Sequence, residues 1–185
     1  MPTNVEISWV TIEFDSDDTD AVLGKKLFKA GFEGFSKAVY VIRLKSPFSI
    51  NYPLEHTPVL YIGEGQVVKR LLAHRKWIKR LQGLGYSFGL EVAVCSPRVK
   101  KNAIAYKFFE AHLLRVFKDT YGSLPLKNKN KELIATNHLY SKSATTNVLG
   151  PGSGTKRMWA IQPLPSNPFR DVFERTHAVM QRSGT

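Results

Sequence analysis

Ala38-Val39-Tyr40-Val41-Ile42-Arg43 and, after a polar insert, Val59-Leu60-Tyr61-Ile62-Gly63-Glu64-Gly65 are two short β-type segments, each carrying one tyrosine. β-Branched and aromatic side chains dominate both, as suits a pleated, half-buried surface. Gly63 and Gly65 turn the second segment into a helical run from Gln66 to Leu81. Val67, Leu71, Ile78 and Leu81 fall on one side of that helix. The other sides carry Lys69, Arg70, Arg75, Lys76, Lys79 and Arg80. Arg70 and His74 are one helical turn apart and share a face. Gly83 and Gly85 mark the expected end. The insert from Lys45 to Pro58 holds Pro47, Pro53 and Pro58 and reads as a loop between the paired strands.

Downstream, Phe88, Leu90, Val92 and Val94 alternate with smaller or polar residues, which predicts a third strand stopped by Ser96-Pro97. Asn102 is the expected cap of a helix over Ala103–Lys118, with Ala105, Phe109, Leu113, Val116 and Phe117 as its apolar face. Tyr121-Gly122 ends it, and Leu124 to Asn128 reads as extended chain. Upstream, Val5 to Phe14 reads as a strand. The acidic stretch from Asp15 to Asp20 opens a helix capped by Thr19 or Asp18 and stopped by Gly31. Asn137 to Gly154 is polar, with a glycine loop over Gly150–Gly154, and a short strand over Met158–Ile161 and a last helix starting at Asn167-Pro168 follow. The expected fold is α+β in a single domain over 1–185. A small antiparallel or mixed sheet of about three core strands, flanked by helices, occupies a core of about 37–131. Residues 1–36 and 132–185 are terminal additions.

The 185 residues carry a formal net charge of +12 and are 43% apolar, enough for a real core and a strong attraction to polyanions. Nucleic acid is the commonest such partner. Cys95 is the only cysteine, which excludes an intrachain disulfide and cysteine-rich zinc sites. No stretch approaches a membrane span or a secretory signal, so a cytoplasmic protein with no membrane partner is expected. Gly150 to Lys156 is only a faint likeness of a phosphate loop, and His56, His138 and His177 lack ligand spacing.

Phe108-Phe109-Glu110-Ala111-His112-Leu113-Leu114 places one carboxylate in a largely apolar helix. Such a Glu is exposed, paired or bound to a cation, because a lone buried charge is costly. Spacing alone leaves all three readings open. The order of Tyr40, Tyr61-Ile62-Gly63, Arg70, His74, Glu110 and Pro125-Leu126-Lys127-Asn128 resembles the GIY-YIG nuclease family. The second motif is intact, whereas Ala38-Val39-Tyr40 stands where Gly-Ile-Tyr is usual. The two tyrosines lie 21 positions apart, more than in the compact family core. The likeness covers roughly the middle half of the chain and not its flanks.

The resemblance implies a divalent-metal-dependent endonuclease acting on phosphodiester bonds in DNA, most readily double-stranded, and of the restriction or phage and mobile-element type. Glu110 would hold the metal, Mg²⁺ with Mn²⁺ able to substitute. That ion needs few protein ligands, since waters and phosphate oxygens complete its shell. Tyr40 would be general base or would position the attacking water. Arg70 would clamp the phosphate and lower the pKa of Tyr40. His74 would accept a proton or contact phosphate, and Tyr61 would orient water or phosphate. Asn128 would bond to substrate or hold the site together. Lys69, Lys76, Lys79, Arg80, Lys127, Lys129 and Lys131 would bind DNA phosphates. A homodimer would suit a palindromic site. Residues 45–58 would be a DNA-contacting loop or decoration. Each residue alone has a plainer reading: packing tyrosines, a solvated helix face, a turn asparagine. The alternative function is a non-catalytic nucleic-acid-binding module on a decayed nuclease core.

Overall fold

The computed structural model describes residues 3–34, 36–83, 88–129, 138–152, 159–162 and 166. In chain order its elements are β1 (Thr3–Val5), β2 (Val10–Phe14), α1 (Asp20–Lys29), β3 (Ala38–Leu44), β4 (Phe48–Asn51), β5 (His56–Thr57), β6 (Val59–Gly65), α2 (Val67–Gln82), β7 (Leu90–Cys95), α3 (Ala105–Tyr121), β8 (His138–Tyr140), α4 (Lys142–Leu149) and β9 (Trp159–Ile161). The fold is α+β, as expected. Among the described residues no helix is long and apolar enough to cross a membrane.

The central sheet is antiparallel with strand order β2-β7-β3-β6. Three of these are the expected core strands. The fourth, β2, comes from the N-terminal addition and pairs with β7 from Val10↔Val94 to Phe14↔Leu90. The single strand expected over 5–14 is therefore two, because the chain leaves strand geometry over 6–9. β1 instead pairs in parallel with β8. Strand β3 is an almost unbroken run of buried residues, the pattern of a strand covered on both faces. In β2, Ile12 and Phe14 are buried while Thr11 and Glu13 are exposed, the alternation of a strand with one face on the core.

The insert is not a plain loop. β4 pairs antiparallel with β5 and parallel with β9, which makes a second sheet in the order β5-β4-β9. Pro47, Pro53 and Pro58 fall outside these strands, where a missing N–H costs no ladder bond. Tyr52 ties the insert to the core. Its hydroxyl donates to the Val59 carbonyl at 2.7 Å and accepts from the Leu126 N–H at 3.0 Å. Its ring meets that of Phe117 edge-on at 5.0 Å.

Apolar periodicity placed the main helices well. The Thr19 hydroxyl caps α1 by accepting from the Val22 N–H at 3.3 Å. Val67, Leu71 and Ile78 of α2 are fully buried. Each such side chain contributes about 1.5–3 kcal/mol relative to exposure, so this stripe fixes the roll of the helix. Helix α3 starts later than expected. Its cap is Ile104, and Asn102 instead accepts the Ile104 N–H on its side-chain oxygen at 3.1 Å. Gly122 ends α3 in the left-handed region at φ 80°, which a residue with a Cβ reaches only with strain. The 124–128 segment holds a turn rather than extended chain, with Asn128 N–H donating to the Pro125 carbonyl at 2.9 Å. Helix α4, in a stretch expected only to be polar, is capped by the Ser141 hydroxyl and buries Val148 and Leu149. Gly85, Lys131, Met158, residues 153 and 154 of the glycine loop and the last expected helix lie outside the described residues.

Candidate active site

Register places the two motif tyrosines. Tyr40 pairs with Gly63 and Ile42 with Tyr61, so Tyr40, Gly63 and Tyr61 share one face of the sheet. The rings of Tyr40 and Tyr61 lie 5.9 Å apart on the diagonal. Gly63 lets them approach the backbone. A Cβ there would stand 2.5 Å from the Tyr61 ring and 2.7 Å from the Tyr40 hydroxyl, closer than Cβ atoms come to other groups. The glycine of the second motif is thus a packing requirement of both tyrosines.

Helix α2 covers this face and presents Arg70, His74 and Trp77 along one stripe, since residues four and three apart line up. Arg70 Nε donates to the Tyr40 hydroxyl at 3.4 Å, and its Nη2 donates to the Tyr61 hydroxyl at 3.2 Å. His74 Nε2 lies 3.1 Å from the Tyr40 hydroxyl. Trp77 Nε1 donates to His74 Nδ1 at 3.1 Å. The His74 ring also packs on Tyr61 at 4.4 Å. Four predicted site residues therefore form one hydrogen-bonded group.

Glu110 and Asn128 reach the same place from α3 and the turn after it. A cavity of about 310 Å³ is lined by Tyr61, Glu64, Arg70, Glu110, Leu114, Lys127, Asn128 and Lys129. Glu110 is 7% exposed, so a carboxylate on an apolar helix sits in the wall of a basic cavity. Asn128 has a structural task. Its Oδ1 accepts from Ile62 N–H at 2.9 Å and its Nδ2 donates to the Ile62 carbonyl at 2.8 Å. Lys127 N–H donates to the Leu60 carbonyl at 3.0 Å. The turn thus covers the outer edge of β6, which would otherwise expose unpaired backbone groups. Of the two roles expected for Asn128, its bonds match holding the site together.

Burial decides the protonation of the group. It pushes the Tyr40 hydroxyl well above its usual range and outweighs the hydrogen bond and charge of Arg70, which pull the other way. The expected acidifying effect of Arg70 is present but is the smaller one. The bond to Tyr40 in turn holds the Arg70 guanidinium more firmly protonated than usual. Burial, then the charges of Arg70 and Lys127, pushes His74 down to about 4, so it is neutral at pH 7.

Lys69, Lys76 and Arg80 are exposed on α2, along a strip flanking the Arg70 stripe. Lys127 and Lys129 line the cavity itself. Lys79 lies elsewhere, 3.9 Å from the Asp17 carboxylate, with both side chains largely exposed. Lys131 is outside the described residues. Cys95 is buried core, and burial raises its thiol pKa, as befits an inert cysteine. Among the described residues no three His, Cys, Asp or Glu side chains cluster as metal ligands. One buried carboxylate with open space before it fits a hard cation that keeps its waters, and does not fit a zinc-type cage. Trp77 and Glu64 were not anticipated. Trp77 was legible in principle, three residues after His74 and seven after Arg70 on one helix. Compared with known proteins, the chain matches no family model, no curated protein and no solved structure.

Proposed function

We propose that this chain is a Mg²⁺-dependent endonuclease of the GIY-YIG kind, hydrolysing phosphodiester bonds in double-stranded DNA. The observation that carries the reading is the meeting of Tyr40, Tyr61, Arg70 and His74 in one hydrogen-bonded group beside a basic cavity that Glu110 lines. Phosphodiester hydrolysis needs charge stabilisation at the phosphorus oxygens and control of the attacking water's protons. Arg70 supplies the first. Its guanidinium has five N–H donors in a fixed fork, and those not bonded to the tyrosines serve a phosphate bidentately. Tyr40 and Tyr61 supply hydroxyls for the second. Glu110 is the residue that would hold the cation, which when bound adds Lewis-acid stabilisation of phosphate charge. Lys127 and Lys129 draw the backbone toward the cavity, and Lys69, Lys76 and Arg80 extend the basic surface along α2.

Burial of the Tyr40 hydroxyl favours the rival reading, a DNA-binding module without catalysis. Against it stands Glu110, a carboxylate in the wall of the same cavity as Arg70, Lys127 and Lys129, where a site that only held phosphate would gain nothing from negative charge. A restriction or phage and mobile-element role, and a homodimer, belong to the proposal by analogy alone. Supercoiled plasmid incubated with purified protein tests it. Conversion to nicked or linear DNA with Mg²⁺ or Mn²⁺, and none in chelator, is expected. Tight DNA binding with the plasmid left supercoiled in both would favour the rival.

A further inference from the structure

We propose that Trp77 is a positioning residue: its indole N–H keeps the proton of neutral His74 on Nε2, so that His74 serves Tyr40 as a hydrogen-bond donor and not as the acceptor of its proton. The donors and acceptors present fix the direction of each bond. An indole N–H only donates. At 3.1 Å it donates to His74 Nδ1, which must therefore be bare. A neutral imidazole has one proton, so it sits on Nε2. Nε2 is 3.1 Å from the Tyr40 hydroxyl, and the bond runs from His74 to Tyr40. A doubly protonated His74 would set its Nδ1–H against the Trp77 N–H, donor against donor.

Arg70 Nε donates to the same hydroxyl at 3.4 Å. Both acceptor positions of the phenol oxygen are then filled, and its own O–H is its one remaining hydrogen-bonding group, with the Tyr61 hydroxyl beside it. If that proton departs, two N–H donors already face the oxygen, the arrangement that favours the charged form. Neither state leaves His74 as the proton sink. Lys127 completes the setting. Its Nζ lies 5.3 Å from the centre of the Trp77 ring, a cation–π contact that steadies the indole plane. The same charge disfavours an imidazolium at His74.

The tautomer is independent of any activity, whereas its effect on rate rests on the nuclease reading. ¹⁵N-histidine NMR of the full chain at neutral pH reads the tautomer, with the His74 signal identified by its loss in His74→Gln. A protonated Nε2 with a bare Nδ1 is expected. A protonated Nδ1 overturns the proposal, whether or not the protein cuts DNA. In Trp77→Phe the signal should move toward a mixture of tautomers. Single-turnover cleavage should fall about 10- to 100-fold, the scale for a lost supporting hydrogen bond, with DNA affinity retained. A loss of affinity matching the loss of rate would contradict positioning. His74→Gln keeps an N–H at the reach of Nε2 and cannot take up a proton. It should cut about tenfold faster than His74→Leu, the worth of one such bond. Equal rates for these two would mean that His74 works as a proton acceptor. If Trp77→Phe does not fold, the wild-type NMR result still decides; if the wild type cuts no DNA, the nuclease reading fails and the tautomer result stands.

Discussion

Asn128 holds the backbone of Ile62 from both ends of its amide, accepting from the N–H at 2.9 Å and donating to the carbonyl at 2.8 Å. A side chain thereby takes the place of a fifth strand at the β6 edge. Asn128→Ala should cost about 1–3 kcal/mol in denaturant unfolding, because two backbone groups at a partly buried edge lose their partners. Asn128→Asp should be worse at neutral pH, since it sets a carboxylate against the Ile62 carbonyl. Wild-type stability in both variants would contradict the edge role.

Tyr40 and Arg70 act through one bond, and their losses should not multiply. Tyr40→Phe keeps the ring that packs on Gly63 and removes only the hydroxyl. Cleavage is expected to fall by about 10²-fold or more with folding little changed. Arg70→Lys keeps a charge and loses the fork that spans Tyr40 and Tyr61. The double variant should be little slower than the slower single one. Fully additive losses in single-turnover rates would separate the two residues.

DNA affinity should fall steeply with salt. Each phosphate neutralised on a duplex adds about −0.9 to the log–log slope. Removing Lys76 or Lys127 should reduce the slope by about one contact each. Lys79, which faces Asp17, should change it least. A flat salt dependence would mean that the net charge of +12 serves something other than DNA.

Two histidines make stability depend on pH in one direction. Burial pushes both His74 and His112 down to about 4 in the folded chain. Between there and the unfolded value of about 6.5, the unfolded chain binds more protons. Stability contributed by both groups should thus rise with pH across that window and be level above it. His74→Gln and His112→Gln should each flatten the rise in unfolding free energy; an unchanged slope in either would remove that residue from the account.

The site was more legible than its supports. The strands β3, β6 and β7 and the helices α2 and α3 announce themselves by local periodicity, so the residues they carry could be ordered along the chain. The insert could not be read, because the parallel partner of β4 is β9, with Ser49 opposite Ala160 far downstream. No local pattern encodes such a pairing. Helix α4 hid behind Ser143, Thr145, Thr146 and Asn147, weak helix formers whose burial and Ser141 cap settle the matter. Asn128 looked like a turn residue and is one, yet its side chain completes a sheet. Burial at Tyr40 was invisible for the same reason: a strand tyrosine shows nothing of the helix that covers it.

Glu110 is the buried carboxylate through which the proposed nuclease would hold its cation. The most direct test of that role is single-turnover plasmid cleavage by wild type and Glu110→Gln at saturating Mg²⁺, with DNA affinity measured on the same preparations. Mg²⁺-dependent cutting by the wild type is expected, none by the variant, and affinity in the variant equal to or tighter than wild type, since a negative charge beside phosphate is gone. Cleavage by Glu110→Gln at the wild-type rate would contradict that role.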